Sequence, residues 1–111
     1  MESVGRLVAD LPFDAIETIN ATPFLGGANR EAQRFNRGHR RLTEMASSDA
    51  HILEAVGKGY TIFPGETAED LRQAIVTGQT AALQQRYTIG ELMTYLQYWL
   101  KTSVARGGPA W

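Results

Sequence analysis

The run "GYTIFPGETAEDLRQAIVTG", Gly59 to Gly78, changes its backbone preference once, and that change limits the folds open to the chain. "GYTIF" is rich in β-formers and bounded by Gly59 and by Pro64-Gly65, which predicts a strand. Thr67 then opens a helix, with Asp70 three residues on, where a capping box usually has Glu or Gln. Leu71, Ala74 and Ile75 give that helix an apolar face, and Gly78 stops it. A strand that runs straight into a helix is the building unit of α/β folds.

The rest of the chain repeats this alternation. Val4, Leu7 and Val8 predict a short helix over residues 2–10, closed by Asp10, Leu11 and Pro12. "FDAIETIN" reads as a short strand ending at Asn20. "ATPFLGGAN" is a loop, broken by Pro23 and the Gly26-Gly27 pair. "NREAQRFNRGHRRL" predicts a helix with Ala28, Ala32 and Phe35 on one face and arginines on the other, weakened at its end by Gly38. "LTEMASSDAH" reads as a strand leading into Asp49 and His51. A polar connection follows Gly78 as far as Thr88. There "TIGE" forms a capping box, and a helix over about 88–105 carries Leu92, Tyr95, Leu96, Trp99 and Leu100 as a stripe. The tail, "RGGPAW", is expected to fray. About three short strands thus alternate with about four helices in a single unit over 1–111. Parallel pairing through right-handed crossovers is the expected topology.

Composition narrows the function. A net charge of −1 gives no basic excess for nucleic acid and no acidic tract. The absence of cysteine excludes disulfides and thiolate metal sites and makes a cytoplasmic location the expectation. No apolar run approaches the roughly 20 residues of a membrane span, and the N-terminus lacks the pattern of a signal peptide.

Asp49 and His51 are the residues most able to carry chemistry. Side chains two apart on a strand share a face, and a carboxylate with an imidazole suits zinc, manganese or iron. The pair falls at the carboxyl end of a strand, where α/β proteins place their sites. The same two residues could equally cap a turn through local hydrogen bonds. Glu17 and Asn20 close the first strand and could reach the same mouth, or be a solvent-facing residue and a turn former. His39 lies among arginines that disfavour a cation, and reads as a solvated helix end. Arg30, Arg34, Arg37, Arg40 and Arg41 could hold a phosphate, but such a face is usually solvated. "GKG" around Lys58 lacks the spacing of a phosphate-binding loop. The Tyr95 and Trp99 stripe reads as core or partner surface.

Taken in order, "FDAIETINA", "SSDAH" and "VGKGYTIFPGETAEDLRQAI" resemble the C-terminal part of the PHP (polymerase and histidinol phosphatase) family of metal-dependent phosphoesterases. The resemblance runs from about Phe13 to Gly78. It implies the C-terminal β/α units of a distorted barrel of about seven such units, with two to three divalent metal ions at the carboxyl ends of its strands. It also implies that Asp49 and His51 are the last two metal ligands. Where the family usually has glycine before "SDAH", this chain has Ser47. The family's opening His-x-His and its middle ligands are not in this sequence, whose only histidines are His39 and His51.

Two functions follow as expectations. In the first, the chain is the C-terminal portion of a PHP-like phosphoesterase, inactive alone. It would act on a phosphorylated small molecule or nucleotide, and its partner would be the missing N-terminal part of the barrel or a second copy. In the second, it is a non-catalytic α/β scaffold or partner-binding module.

Overall fold

The computed structural model of the protein describes residues 10–105. The tail and, but for Asp10, the first expected helix lie outside them. Strand β1 (Ala15–Asn20) leads through a loop into helix α1 (Gly26–Phe35) and then strand β2 (Thr43–Ser47). β1 and β2 pair in parallel, with Ala15 opposite Thr43, Asn20 opposite Ser47, and a register irregularity between Glu17 and Ile19. Strand β3 (Gly59–Ile62), helix α2 (Ala68–Thr77) and strand β4 (Ala81–Gln84) follow, and helix α3 (Ile89–Ala105) closes the fold.

The α/β class holds, with three helices and four strands among the described residues. The strands form two two-stranded sheets and no barrel. β3 and β4 pair antiparallel, with Gly59 opposite Gln84, which corrects the expectation of wholly parallel pairing. Gly78 takes the left-handed conformation, φ 72°, directly after α2 and ends the helix, and three residues, 78–80, lead on to β4. α2 itself starts as expected. Thr67 Oγ1 accepts the Asp70 N–H at 3.1 Å, and Asp70 Oδ2 accepts the Thr67 N–H at 3.1 Å. The Glu66 N–H, which also donates to Asp70 Oδ2, and the Thr67 N–H hold the Asp70 carboxyl below its usual pKa. The second box is present too, with Thr88 and Glu91 exchanging bonds of 2.8 and 3.1 Å.

α1 differs from expectation on both ends and on its inner face. It begins at Gly26, within the expected loop. It ends in a wide turn over Asn36–Arg40, where the Arg41 N–H reaches the Asn36 carbonyl at 2.6 Å. Its buried residue is not Ala28, Ala32 or Phe35 but Asn29, and Asn36, the first residue of the turn after it, is buried as well. Each carboxamide does the work of a neighbouring strand. Asn36 Nδ2 donates to the Leu42 carbonyl and Oδ1 accepts the Leu42 N–H, both at 2.8 Å. Asn29 serves Asn20 in the same way, with both bonds at 3.0 Å. One asparagine thus satisfies the end of β1 and the other the entrance to β2, so neither leaves a buried backbone group unpaired.

Threonine hydroxyls join the two sheets. Thr61 Oγ1 accepts the Ala46 N–H at 2.9 Å and donates to the Ala46 carbonyl at 3.3 Å. Thr80 Oγ1 donates to the Glu44 carbonyl at 2.7 Å. A hydroxyl is both donor and acceptor, so it can seal the outer edge of β2 without a paired strand. Glu44 ties β2 to its other neighbours, accepting from Thr18, Asn36 and Arg37. Burial alone would raise its pKa, but these partners outweigh that and hold the carboxyl below its usual value.

The core is small. Among the described residues, the buried hydrophobic side chains are Ala21, Ala55, Ala74 and Tyr95, and Tyr95 is the one large side chain among them. The expected stripe on α3 is only half buried. Leu92 and Trp99 flank Tyr95 against the domain, whereas Leu96 and Leu100 are 45% and 58% exposed. Residues 95 and 96 differ by about 100° around a helix axis, so one flat neighbour cannot cover both. Ile89, Met93, Leu96, Leu100 and Val104 form a second, outward stripe at spacings of three and four residues.

Candidate functional site

Parallel pairing brings the ends of β1 and β2 to one edge, with Asn20 beside Ser47. The Ser47 carbonyl accepts the Ala21 N–H at 2.9 Å, which carries the pairing one step past the strand end. The chain then leaves the sheet. Asp49 is left-handed, φ 47°, and neither Asp49 nor His51 lies in a strand. The expectation that they share a strand face is therefore corrected. The strand ends at Ser47, and a turn separates the two side chains.

The turn gathers the predicted residues by another route. Asn20 Nδ2 donates to Asp49 Oδ2 at 3.1 Å and to Glu17 Oε2 at 3.3 Å. Thr22 Oγ1 lies 3.5 Å from Asp49 Oδ2, and Ser47 Oγ donates to Glu17 Oε1. Glu17, Asn20 and Asp49 thus form one solvent-facing cluster. Ser47 does more here than replace a glycine, because its hydroxyl holds Glu17.

His51 stands beside this cluster with its own supports. Its Nδ1 lies 2.8 Å from the Asp49 carbonyl. A carbonyl can only accept, so Nδ1 is the donor of this bond, and in the neutral ring the lone pair is on Nε2. The His51 N–H donates to the Tyr95 hydroxyl at 3.4 Å, and the His51 ring lies 6.0 Å from that of Tyr98. α3 therefore packs directly beneath the loop. Burial raises the Tyr95 phenol above its usual pKa, and the Asp49 charge adds to this against the lowering effect of the His51 N–H.

The donor chemistry suits a metal ion. An imidazole fixed through one nitrogen by a carbonyl, beside a hydrogen-bonded carboxylate, is how protein ligands are usually oriented. The number of donors does not suffice. Among the described residues, no group of three or more His, Cys, Asp or Glu is placed to hold a metal ion. His39 adds nothing, since its ring packs on Phe35 at 5.0 Å in the turn after α1.

The family model described as PHP-associated, PHP_C, matches residues 26–80, about half of the sequence. The chain carries a PHP-associated domain. The match takes in α1, β2, the Asp49–His51 turn, β3 and α2. Glu17 and Asn20 precede the matched segment of the PHP-associated domain, and Tyr95 follows it. No curated protein and no solved structure matches the chain.

Other candidates resolve as structure. Lys58 of "GKG" pairs with Glu91 Oε1 at 2.9 Å, donates to the Arg86 carbonyl at 3.2 Å and lies 5.3 Å from the Tyr87 ring centroid, joining β3 to the start of α3. Arg37 holds Glu44. Asn29 and Tyr95, which support the site from below, went unread as site residues. An asparagine in a helix and a tyrosine in an apolar stripe carry no sequence signal of what they touch.

Proposed function

We propose that the chain is the C-terminal portion of a PHP-like, metal-dependent phosphoesterase, to which Asp49 and His51 contribute the last two metal ligands. The observation that carries this reading is the orientation of the pair within the family segment. His51 keeps Nε2 free because Nδ1 is held by the Asp49 carbonyl, and the Asp49 carboxylate is held by Asn20. A divalent ion bound there, zinc, manganese or iron, would polarise a phosphate and lower the pKa of a bound water. The chain's own residues would orient ligands, with Glu17 and Asn20 at the mouth. The substrate is a phosphorylated small molecule or nucleotide and the location cytoplasmic. No helix among the described residues is long and apolar enough to cross a membrane.

Zinc titration of the chain beside Asp49→Ala, His51→Ala and His39→Ala tests the ligand pair. Two ligands should give a dissociation constant of tens of micromolar at best, on the order of 6 kcal/mol. Loss in the first two variants but not in the third is expected. Equal binding in all four removes the ligand role. The same samples should leave an aryl phosphate intact, and turnover abolished by His51→Ala would show that the chain is complete by itself.

A second reading, a non-catalytic module that binds a partner, is favoured by the outward stripe of α3 and by β1, which among the described residues pairs on one side only. In the first reading the rest of a barrel, or a second copy, covers these surfaces. Sedimentation should then show concentration-dependent association of the chain alone. A clean monomer at high concentration would favour the module.

A further inference from the structure

We infer that Asn29 is a positioning residue, which acts through Asn20 to aim the carboxylates of Glu17 and Asp49. The inference rests on the reading that Asp49 is a metal ligand, and it adds a residue that touches no ligand itself.

The path has three steps. Asn29 is buried, 8% exposed, on the first turns of α1, and its carboxamide meets both the N–H and the carbonyl of Asn20 at 3.0 Å. That pair of bonds fixes the two peptide planes on either side of the Asn20 Cα, from which the side chain departs. The Asn20 side chain is then fixed in turn. Its Oδ1 accepts the Thr22 N–H at 3.0 Å, so Nδ2 must be the end that faces the acids. One amide nitrogen reaches Asp49 Oδ2 at 3.1 Å and Glu17 Oε2 at 3.3 Å. Every polar atom of Asn20 is engaged. Neither carboxylate can turn without breaking a bond whose other end is anchored in α1. Partners that orient a ligand in this way typically change metal affinity by about 10–100-fold when removed.

Asn36 supplies the internal control. It is buried in the turn that directly follows α1 and makes the same two bonds to a backbone, but at Leu42, which enters β2 at the end opposite to Asp49. Loss of either asparagine should weaken the fold in a similar way, and only loss of Asn29 should reach the site.

The test uses the full chain with two readouts. Without metal, the side-chain amide resonances of Asn20 are followed by nitrogen-edited NMR in wild type, Asn29→Ala, Asn29→Asp and Asn36→Ala. Asn29→Asp keeps the acceptor for the Asn20 N–H and loses the donor to its carbonyl, so it reads the same path if the alanine variant does not fold. The Asn20 amide is expected to move toward its unfolded-chain position in both Asn29 variants and to stay in place in Asn36→Ala. With manganese alone as the probe, Asn29→Asp should raise the dissociation constant about 10-fold, and Asn36→Ala should leave it unchanged. An unmoved Asn20 amide in the Asn29 variants, or an equal movement in Asn36→Ala, overturns the inference. Manganese binding that does not depend on Asp49 overturns the ligand reading instead, and the metal-free spectra still decide what Asn29 does.

Discussion

Tyr95→Ala is expected to lower stability by about 3–5 kcal/mol, the cost of emptying a large buried aromatic site. Tyr95 is fully buried, and the other buried apolar residues, Ala21, Ala55 and Ala74, are too small to fill the space. Its ring packs against Trp99 at 4.9 Å, Tyr87 at 6.0 Å and Tyr98 at 6.2 Å, so three aromatic rings lose their common neighbour. For a domain whose whole stability is of the order of 5–15 kcal/mol, this is a large share. Tyr95→Phe keeps the ring and removes one long hydrogen bond from the His51 N–H, and should cost about 1 kcal/mol. Trp99→Ala should fall between the two, because Trp99 is only partly buried. Urea denaturation of the three variants gives the order. A midpoint for Tyr95→Ala equal to that of wild type would show that the stripe on α3 is not the centre of the core.

The same residue shows why part of the site was legible in the sequence and part was not. Strand ends are readable from β-formers and breakers, and two parallel strand ends must lie together, so Glu17, Asn20 and Asp49 could be placed at one mouth. The backbone of Asp49 could not be read, because its left-handed turn depends on where the pairing stops and not on residue type. The tie between Tyr95 and His51 spans 44 residues, and no local period encodes it. β4 was hidden for a related reason. In "AALQ" only Ala82 is partly buried, so the strand has no alternation of apolar and polar residues to betray it. Asn29 falls on the polar side of any amphipathic reading of α1, as does Asn36 in the turn that follows it, yet both face inward. Their burial follows from two backbone groups each needing a partner, a requirement that appears only once the strands are in place.

Gly59→Ala is expected to cost about 3 kcal/mol, at the upper end for an added methyl group in a packed site, and to displace the loop that carries Asp49. A Cβ at Gly59 would overlap the carbonyl oxygen of Ser47, lie 2.5 Å from its carbon and meet the Ala21 Cβ at 3.1 Å. None of these is the far end of a flexible side chain. The Ser47 carbonyl is already bound to the Ala21 N–H, so the methyl group cannot be accommodated by rotating a side chain. Either β3 must retreat from β2, which breaks the Thr61 bonds to Ala46, or the end of β2 must move. Movement of Ser47 would carry its hydroxyl away from Glu17 and shift Asp49 two residues on. The second glycine of "GKG" is thus needed for space beneath the site, whatever the lysine before it does. Gly38→Ala is the matched control. Nothing lies within 4 Å of a Cβ there, and in a helical turn alanine should leave stability unchanged or raise it by about 0.5–1 kcal/mol. Thermal unfolding compares the two, and the amide resonances of Ser47 and Asp49 report the displacement. If Gly59→Ala melts with wild type and leaves those resonances in place, the close approach of β3 to Ser47 is not a feature of the folded protein, and the support of the Asp49 loop from below must be sought in α3 alone.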